Sequence, residues 1–193
     1  KFLRQRGFFI SWGLFPAFYA LSGHPSPGSE PAGGFRQDYE DGLLGRLEYL
    51  VLETVQERGP IDSRQLWRAL KNGFGANRSR FEQALVTLQS SFRIMVAGGH
   101  LEGWSMHRWD LVERQAPVGL LNPLPAPDEA RTSLLKQYVA NTVVCTVREV
   151  AGFFRWELTP TQLLAAQLVA GDELVETAVE GWKGTWLSTH PGT

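Results

Sequence analysis

Ile61-Asp62-Ser63-Arg64-Gln65 and Val144-Cys145-Thr146-Val147-Arg148-Glu149 are the two stretches whose reading decides the fold. In each, a β-branched residue leads into a residue whose side chain can cap a helix: Asp62 with Gln65 three positions on, Thr146 with Glu149 three positions on. That spacing satisfies two otherwise orphaned backbone donors and marks a helix start. Each predicted helix is short, the first ending near Leu70 before Gly73 and Gly75, the second near Phe154.

The pattern on either side repeats as well. Upstream of the first start, Leu44, Leu47, Val51 and Val55 recur at helical spacing with Leu50 alongside, which predicts a helix over 43–58 stopped by Gly59-Pro60. Upstream of the second, Leu134, Leu135, Tyr138 and Val139 line a comparable helix. Downstream of the first, a third helix follows Asn77 and buries Phe81, Leu85, Leu88 and Phe92. Then come an apolar stretch over 93–97, Gly98-Gly99 and a return over 107–112. Downstream of the second, Thr159-Pro160 opens a third helix with Leu163, Leu164 and Leu168 buried. A hairpin over 172–187 follows, its tip being Gly181-Trp182-Lys183-Gly184. Helix, short helix, helix, hairpin, stated twice, predicts an α+β, mainly α protein built of tandem winged helix-turn-helix domains. The expected divisions are 1–42 as an N-terminal connecting segment and loop, 43–114 as the first unit, 115–127 as a Pro-rich linker, and 128–193 as the second unit.

Composition narrows the function. The chain has 193 residues, is 43% hydrophobic and 20% charged, and carries a formal net charge of -1, as ordinary globular proteins do. Charge is unevenly placed. Arg58, Arg64, Arg68, Lys71, Arg78, Arg80 and Arg93 face only Asp62 and Glu82 over 58–93, whereas acids dominate 30–57. Over 128–193 the balance is again acidic, and Glu173, Glu176 and Glu180 on the second hairpin should repel phosphates. The single cysteine, Cys145, excludes an internal disulfide framework, reads as a small core residue and fits a reducing cytoplasm. His24, His100, His107 and His190 lack metal-ligand spacing, and no phosphate-binding, dinucleotide or nucleophile-elbow motif occurs, so neither metal nor cofactor is expected. Asp38, Glu40 and Asp41 sit in a glycine-rich stretch and read as solvated loop acids. Trp12, Trp67, Trp109 and Trp186 fall in apolar patterns typical of core, and Trp104 and Trp182 lie near hairpin tips. The opening run, basic and then apolar over 8–15, is broken by Ser11 and Pro16. With no initial Met, it reads as the inside of a longer protein.

In a helix-turn-helix unit the second helix braces the third, whose outer face can enter the major groove of a duplex. That assigns Ser79, Gln83 and Ser90 to the outer face after Asn77 with Arg80 and Thr87 flanking it, Arg78 and Arg80 to its first turn, and Arg64, Arg68 and Lys71, on or just after the bracing helix, to backbone contacts. In the second unit Arg155, Lys183 and Trp182 are the residues suited to a duplex, and Lys183 is taken as its contribution. Double-stranded DNA is the expected partner of the first unit. A protein partner or a preceding domain is expected on the second, and no membrane association is expected.

The runs Phe9-Ile10-Ser11 through Leu14-Phe15-Pro16-Ala17-Phe18-Tyr19-Ala20-Leu21-Ser22, Arg58-Gly59-Pro60-Ile61-Asp62-Ser63, Trp109-Asp110-Leu111-Val112-Glu113-Arg114 and Val179-Glu180-Gly181-Trp182-Lys183-Gly184-Thr185-Trp186 follow one another along nearly the whole chain. In order and spacing the chain resembles bacterial winged-helix proteins related to the interstrand-crosslink (alkylpurine-type) DNA glycosylases. The resemblance implies tandem winged helices, DNA binding and, in active members, release of alkylated or crosslinked bases. Catalysis in that family is associated with a Gln-x-Gln-type motif in an N-terminal winged helix. No Gln-x-Gln occurs here, so no catalytic residue is carried over. A piece of a longer chain, a naturally shortened member and a divergent non-enzymatic relative all stay open. So do a winged-helix transcription regulator and a protein-interaction scaffold that never meets DNA.

Overall fold

The computed structural model describes residues 9–23, 34–74, 77–100 and 106–190. Among these it has nine helices and two three-stranded antiparallel sheets. The chain divides into two units, one comprising Lys1–Phe9 with Ser22–Leu124, the other Ile10–Leu21 with Pro125–Thr193. Part of the expected N-terminal connecting segment thus groups by contact with the second unit. Its first helix, α1 (Phe15–Ala20), joins the second unit, where Phe15, Phe18 and Tyr19 are buried. Trp12, expected in a core, is 39% exposed and meets Phe15 edge-on.

The first unit begins with α2 (Phe35–Glu40), so Asp38 and Glu40 lie on a helix and Asp41 caps it rather than occupying a loop. Asp38 ion-pairs with Arg93 across the unit. The long helix α3 (Arg46–Arg58) starts three residues later than the periodicity implied. Gly42 turns the chain at φ +75° and Gly45 is extended, leaving Leu43 exposed while Val51, Leu52 and Val55 enter the core. After β1 (Ile61–Asp62), α4 (Ser63–Phe74) begins where Asp62 Oδ1 accepts the backbone N–H groups of Arg64 and Gln65 at 2.9 and 2.8 Å. It runs four residues past Leu70, because an interior glycine such as Gly73 costs a helix only about 1 kcal/mol.

The next helix, α5 (Arg78–Ser90), is capped by Asn77, whose Oδ1 accepts the Arg80 N–H at 2.9 Å, and it buries Phe81, Ala84, Leu85 and Leu88. Phe92 is buried as expected, but outside the helix. It takes a left-handed conformation at φ +56° that lets the Arg93 N–H close on the Leu88 carbonyl. The strands β2 (Ile94–His100) and β3 (Met106–Leu111) form the hairpin, and β1 joins it with Ile61 opposite Trp109, giving the order β1-β3-β2. A short α6 (Val112–Gln115) closes the unit. Its core gathers Val51, Leu52, Val55, Leu66, Phe81, Leu88, Ile94 and Trp109. Each large apolar side chain so buried contributes about 1.5–3 kcal/mol.

The second unit repeats the order as α7 (Pro127–Thr142), β4 (Val144–Cys145), α8 (Val147–Phe154), α9 (Leu158–Ala170), β5 (Val175–Thr177) and β6 (Trp186–Ser188), with sheet order β4-β6-β5. Thr146 and Glu149 form the expected capping box. On α9 the buried face is Thr161, Ala165 and Leu168, while Leu163, expected inside, is 63% exposed. Aromatic rings supply bulk elsewhere in this core. Phe154 meets Phe18 from α1, Tyr138 from α7 and a stacked Trp156 at 4.4 Å. Cys145 is buried on β4, and burial pushes its thiol pKa up, as befits a core residue. None of the described helices is long and apolar enough to cross a membrane.

Candidate nucleic-acid interface

The sequence of α4 places Arg64, Arg68 and Lys71 at i, i+4 and i+7, so all three fall on one face, opposite the side that buries Leu66 and Leu70. All three are exposed, and no ion pair engages them or Arg80 among the described residues. Trp67 flanks this stripe and fastens α4 to α5. Its ring lies 5.2 Å from that of Phe81, and the Arg78 guanidinium sits 5.7 and 5.5 Å from the two ring centroids. Arg78 also donates from Nε to Glu82 Oε1 at 2.8 Å. Of the basic residues expected to meet a phosphate, Arg78 is therefore the one already committed, held by a carboxylate one turn away and by two aromatic faces.

Along α5 the exposed residues are Arg78, Ser79, Arg80, Glu82, Gln83 and Thr87, with Val86 half-buried beside them. At 100° per residue, Ser79, Gln83, Val86 and Ser90 centre the outer face, with Glu82 on one flank and Arg80 and Thr87 on the other. Val86 is the residue that the sequence reading missed here. Helical spacing from the expected buried residues Phe81, Leu85 and Leu88 is the signal that could have found it. Lys183 is exposed in the second unit, on the turn between β5 and β6 next to Trp182, which is 68% exposed. Glu173 pairs with Lys136 at 2.6 Å, and Glu176 and Glu180 are exposed. No group of described His, Cys, Asp or Glu residues could hold a metal ion.

Two of the runs quoted above interlock, and their role is structural. Asp110 is fully buried. Its Oδ1 accepts from Arg114 Nη1 at 3.0 Å and from the Leu111 N–H at 2.9 Å, and its Oδ2 accepts from Gln115 Nε2 at 2.7 Å. Arg114 in turn donates to the carbonyls of Gly59 and Gln56 at the end of α3, at 3.2 and 2.8 Å. A Cβ on Gly59 would lie 2.6 Å from the Val55 carbonyl oxygen and 2.7 Å from Asp110 Oδ1, so only glycine fits. Next to it, Trp109 Nε1 donates to Ser63 Oγ at 2.8 Å, and Arg108 donates to the Pro60 carbonyl. These contacts tie the C-terminus of α3 and the start of α4 to β3, which fixes the pose of the basic stripe. A carboxylate this enclosed cannot act on a substrate.

Fold and surface together define a mixed α/β protein of two like-ordered units, one of which presents a basic helix pair to solvent. The family model described as AlkZ related matches residues 1–154, and the chain belongs to that family. The match spans the interlocked runs but stops short of Val179–Trp186, the last of the quoted ones. No curated protein matches the chain.

Proposed function

We propose that this chain is a duplex-DNA-binding member of a repair-glycosylase-like family, built of two winged helix-turn-helix units. In this reading the first unit lies on the DNA. The order helix, two-residue strand, helix, helix, hairpin, present in both units, supports the winged-helix assignment. The observation that carries the DNA reading is the stripe of Arg64, Arg68 and Lys71 on α4, which makes no ion pair among the described residues and is linked through Trp67 to α5. Such a stripe can follow a phosphate backbone while α5 faces the groove. Ser79, Arg80 and Gln83 are then groove-facing, and Arg78 braces α5 more than it contacts phosphate. The second unit, whose α9 carries no charged residue, supports a protein contact more than a nucleic-acid one. Lys183 adds at most one phosphate contact.

The test is duplex binding as a function of salt. Each phosphate contact adds about 0.9 to the magnitude of the log–log slope. Replacing Arg64, Arg68 and Lys71 together with alanine should therefore flatten the slope by about 2.7 units. Lys183→Ala should change it by no more than about 1. An unchanged slope in the triple variant removes the stripe from the interface. Base release from alkylated or crosslinked duplexes, measured on the same protein, decides whether binding is accompanied by chemistry.

A further inference from the structure

We infer that α5 reads an A·T step in the major groove, with Gln83 on the adenine and Val86 on the thymine methyl. This deepens the duplex-binding reading and rests on it. The outer face of α5 has an unusual chemistry for a polyanion-facing helix: no free cation lies at its centre. Arg78 is engaged by Glu82 at 2.8 Å and stacked over Trp67 and Phe81. Arg80 lies on a flank, about 90° around the helix from the face centre at 100° per residue. Guanine is commonly read by an arginine or lysine fork to O6 and N7, and no such group occupies the centre. Cytosine is read by a carboxylate accepting from N4, and Glu82, the carboxylate on α5, is tied to Arg78.

What the centre does offer is an exposed amide and, three residues on along the same face, a half-buried branched apolar side chain. An amide can accept from adenine N6 and donate to N7, and an apolar side chain packs on the thymine C5-methyl. Ser79 and Ser90, at the two ends of the same face, are tolerant of any base. Free cations on α4 supply the attraction, and α5 supplies the discrimination.

The experiment compares duplex oligonucleotides that differ in single groove atoms. An A·T-rich duplex should bind about tenfold more tightly than a G·C-rich one of equal length. Replacing adenine by 7-deazaadenine removes N7 and should weaken the native protein severalfold while leaving Gln83→Ala unaffected. Replacing thymine by uracil removes the methyl group and should weaken the native protein while leaving Val86→Ala unaffected. Both side chains lie on the surface, and circular dichroism checks that the variants fold. Salt-dependent duplex binding that is indifferent to all three changes overturns this proposal and leaves the duplex reading standing. Absence of salt-dependent duplex binding overturns both.

Discussion

The helices α5 and α9 occupy the same place in their units and have the same length of 13 residues, yet they are finished in opposite ways. Their buried positions correspond at a constant offset of 80: Phe81 and Thr161, Leu85 and Ala165, Leu88 and Leu168. Their stops correspond too. Phe92 at φ +56° and Asp172 at φ +58° each turn the chain left-handed, and the next residue, Arg93 or Glu173, closes on Leu88 or Leu168 at 2.9 Å. Outside, the likeness ends. The exposed residues of α5 include Arg78, Arg80 and Glu82, whereas those of α9 are Thr159, Pro160, Gln162, Leu163, Ala166, Gln167 and Ala170. The architecture constrains the inner face and the stop of each helix but leaves the outer face to function, because exposed substitutions rarely change stability by more than about 0.5 kcal/mol.

The inner faces differ in how they fill space, which gives the largest test of the comparison. Beneath α5 the volume comes from the helix itself, through Phe81 against Trp67. In the second unit the buried face of α9 is Thr161, Ala165 and Leu168, and the aromatic rings of the unit come from α1, α7 and α8. Phe81→Ala should therefore cost the first unit about 4 kcal/mol in urea unfolding, through lost burial and a cavity. Thr161→Ala should cost the second only about 1 kcal/mol, the worth of its 2.7 Å hydrogen bond to the Glu157 carbonyl. Equal losses would show that the two helices are held in the same way after all.

Asp110 sharpens the contrast one step down. The first unit clamps α3 to its sheet with a buried carboxylate and Arg114, and no ion pair with a fully buried member is found among the described residues of the second. Asp110→Ala strips Arg114 and Gln115 of their acceptor and should cost about 3 kcal/mol, visible as a lowered denaturation midpoint for the first unit alone. If the second unit falls with it, the two do not unfold independently.

The smallest effect belongs to the second unit. The Cys145 thiol is raised above its ordinary value of 9.0, mainly by burial. A thiol held neutral in the folded state stabilises fully below that value and loses its contribution as pH climbs above it. Denaturation midpoints should thus decline above about pH 9 more steeply for the native chain than for Cys145→Ala. Parallel pH profiles would remove burial as the cause.

Local chemistry made much of this legible. Asp62, Asn77 and Thr146 cap helices because their side chains bond backbone donors two or three residues away, and such contacts need no tertiary partner. The α4 stripe was legible for the same reason, since helical spacing alone puts 64, 68 and 71 on one face. The core of α9 was not. Leu158, Leu163, Leu164 and Leu168 allow more than one apolar face, and packing against α8 selects the one with Thr161 and Ala165, leaving Leu163 in solvent. Nor could periodicity show that Arg78 is committed to Glu82, Trp67 and Phe81.

The sequence by itself determined where the side-chain-capped helices α4, α5 and α8 start, that the order of elements repeats, and which stretch is basic. All of these follow from contacts within a few residues or from composition. Only the tertiary structure decided that residues 10–21 belong to the second unit and that Gly59, Asp110 and Arg114 form one buried clamp. It also decided which cations stay free. Those outcomes depend on groups far apart in the sequence meeting in space, as Arg93 meets Asp38, Arg114 meets Gln56 and Phe154 meets Phe18. No local pattern encodes such meetings.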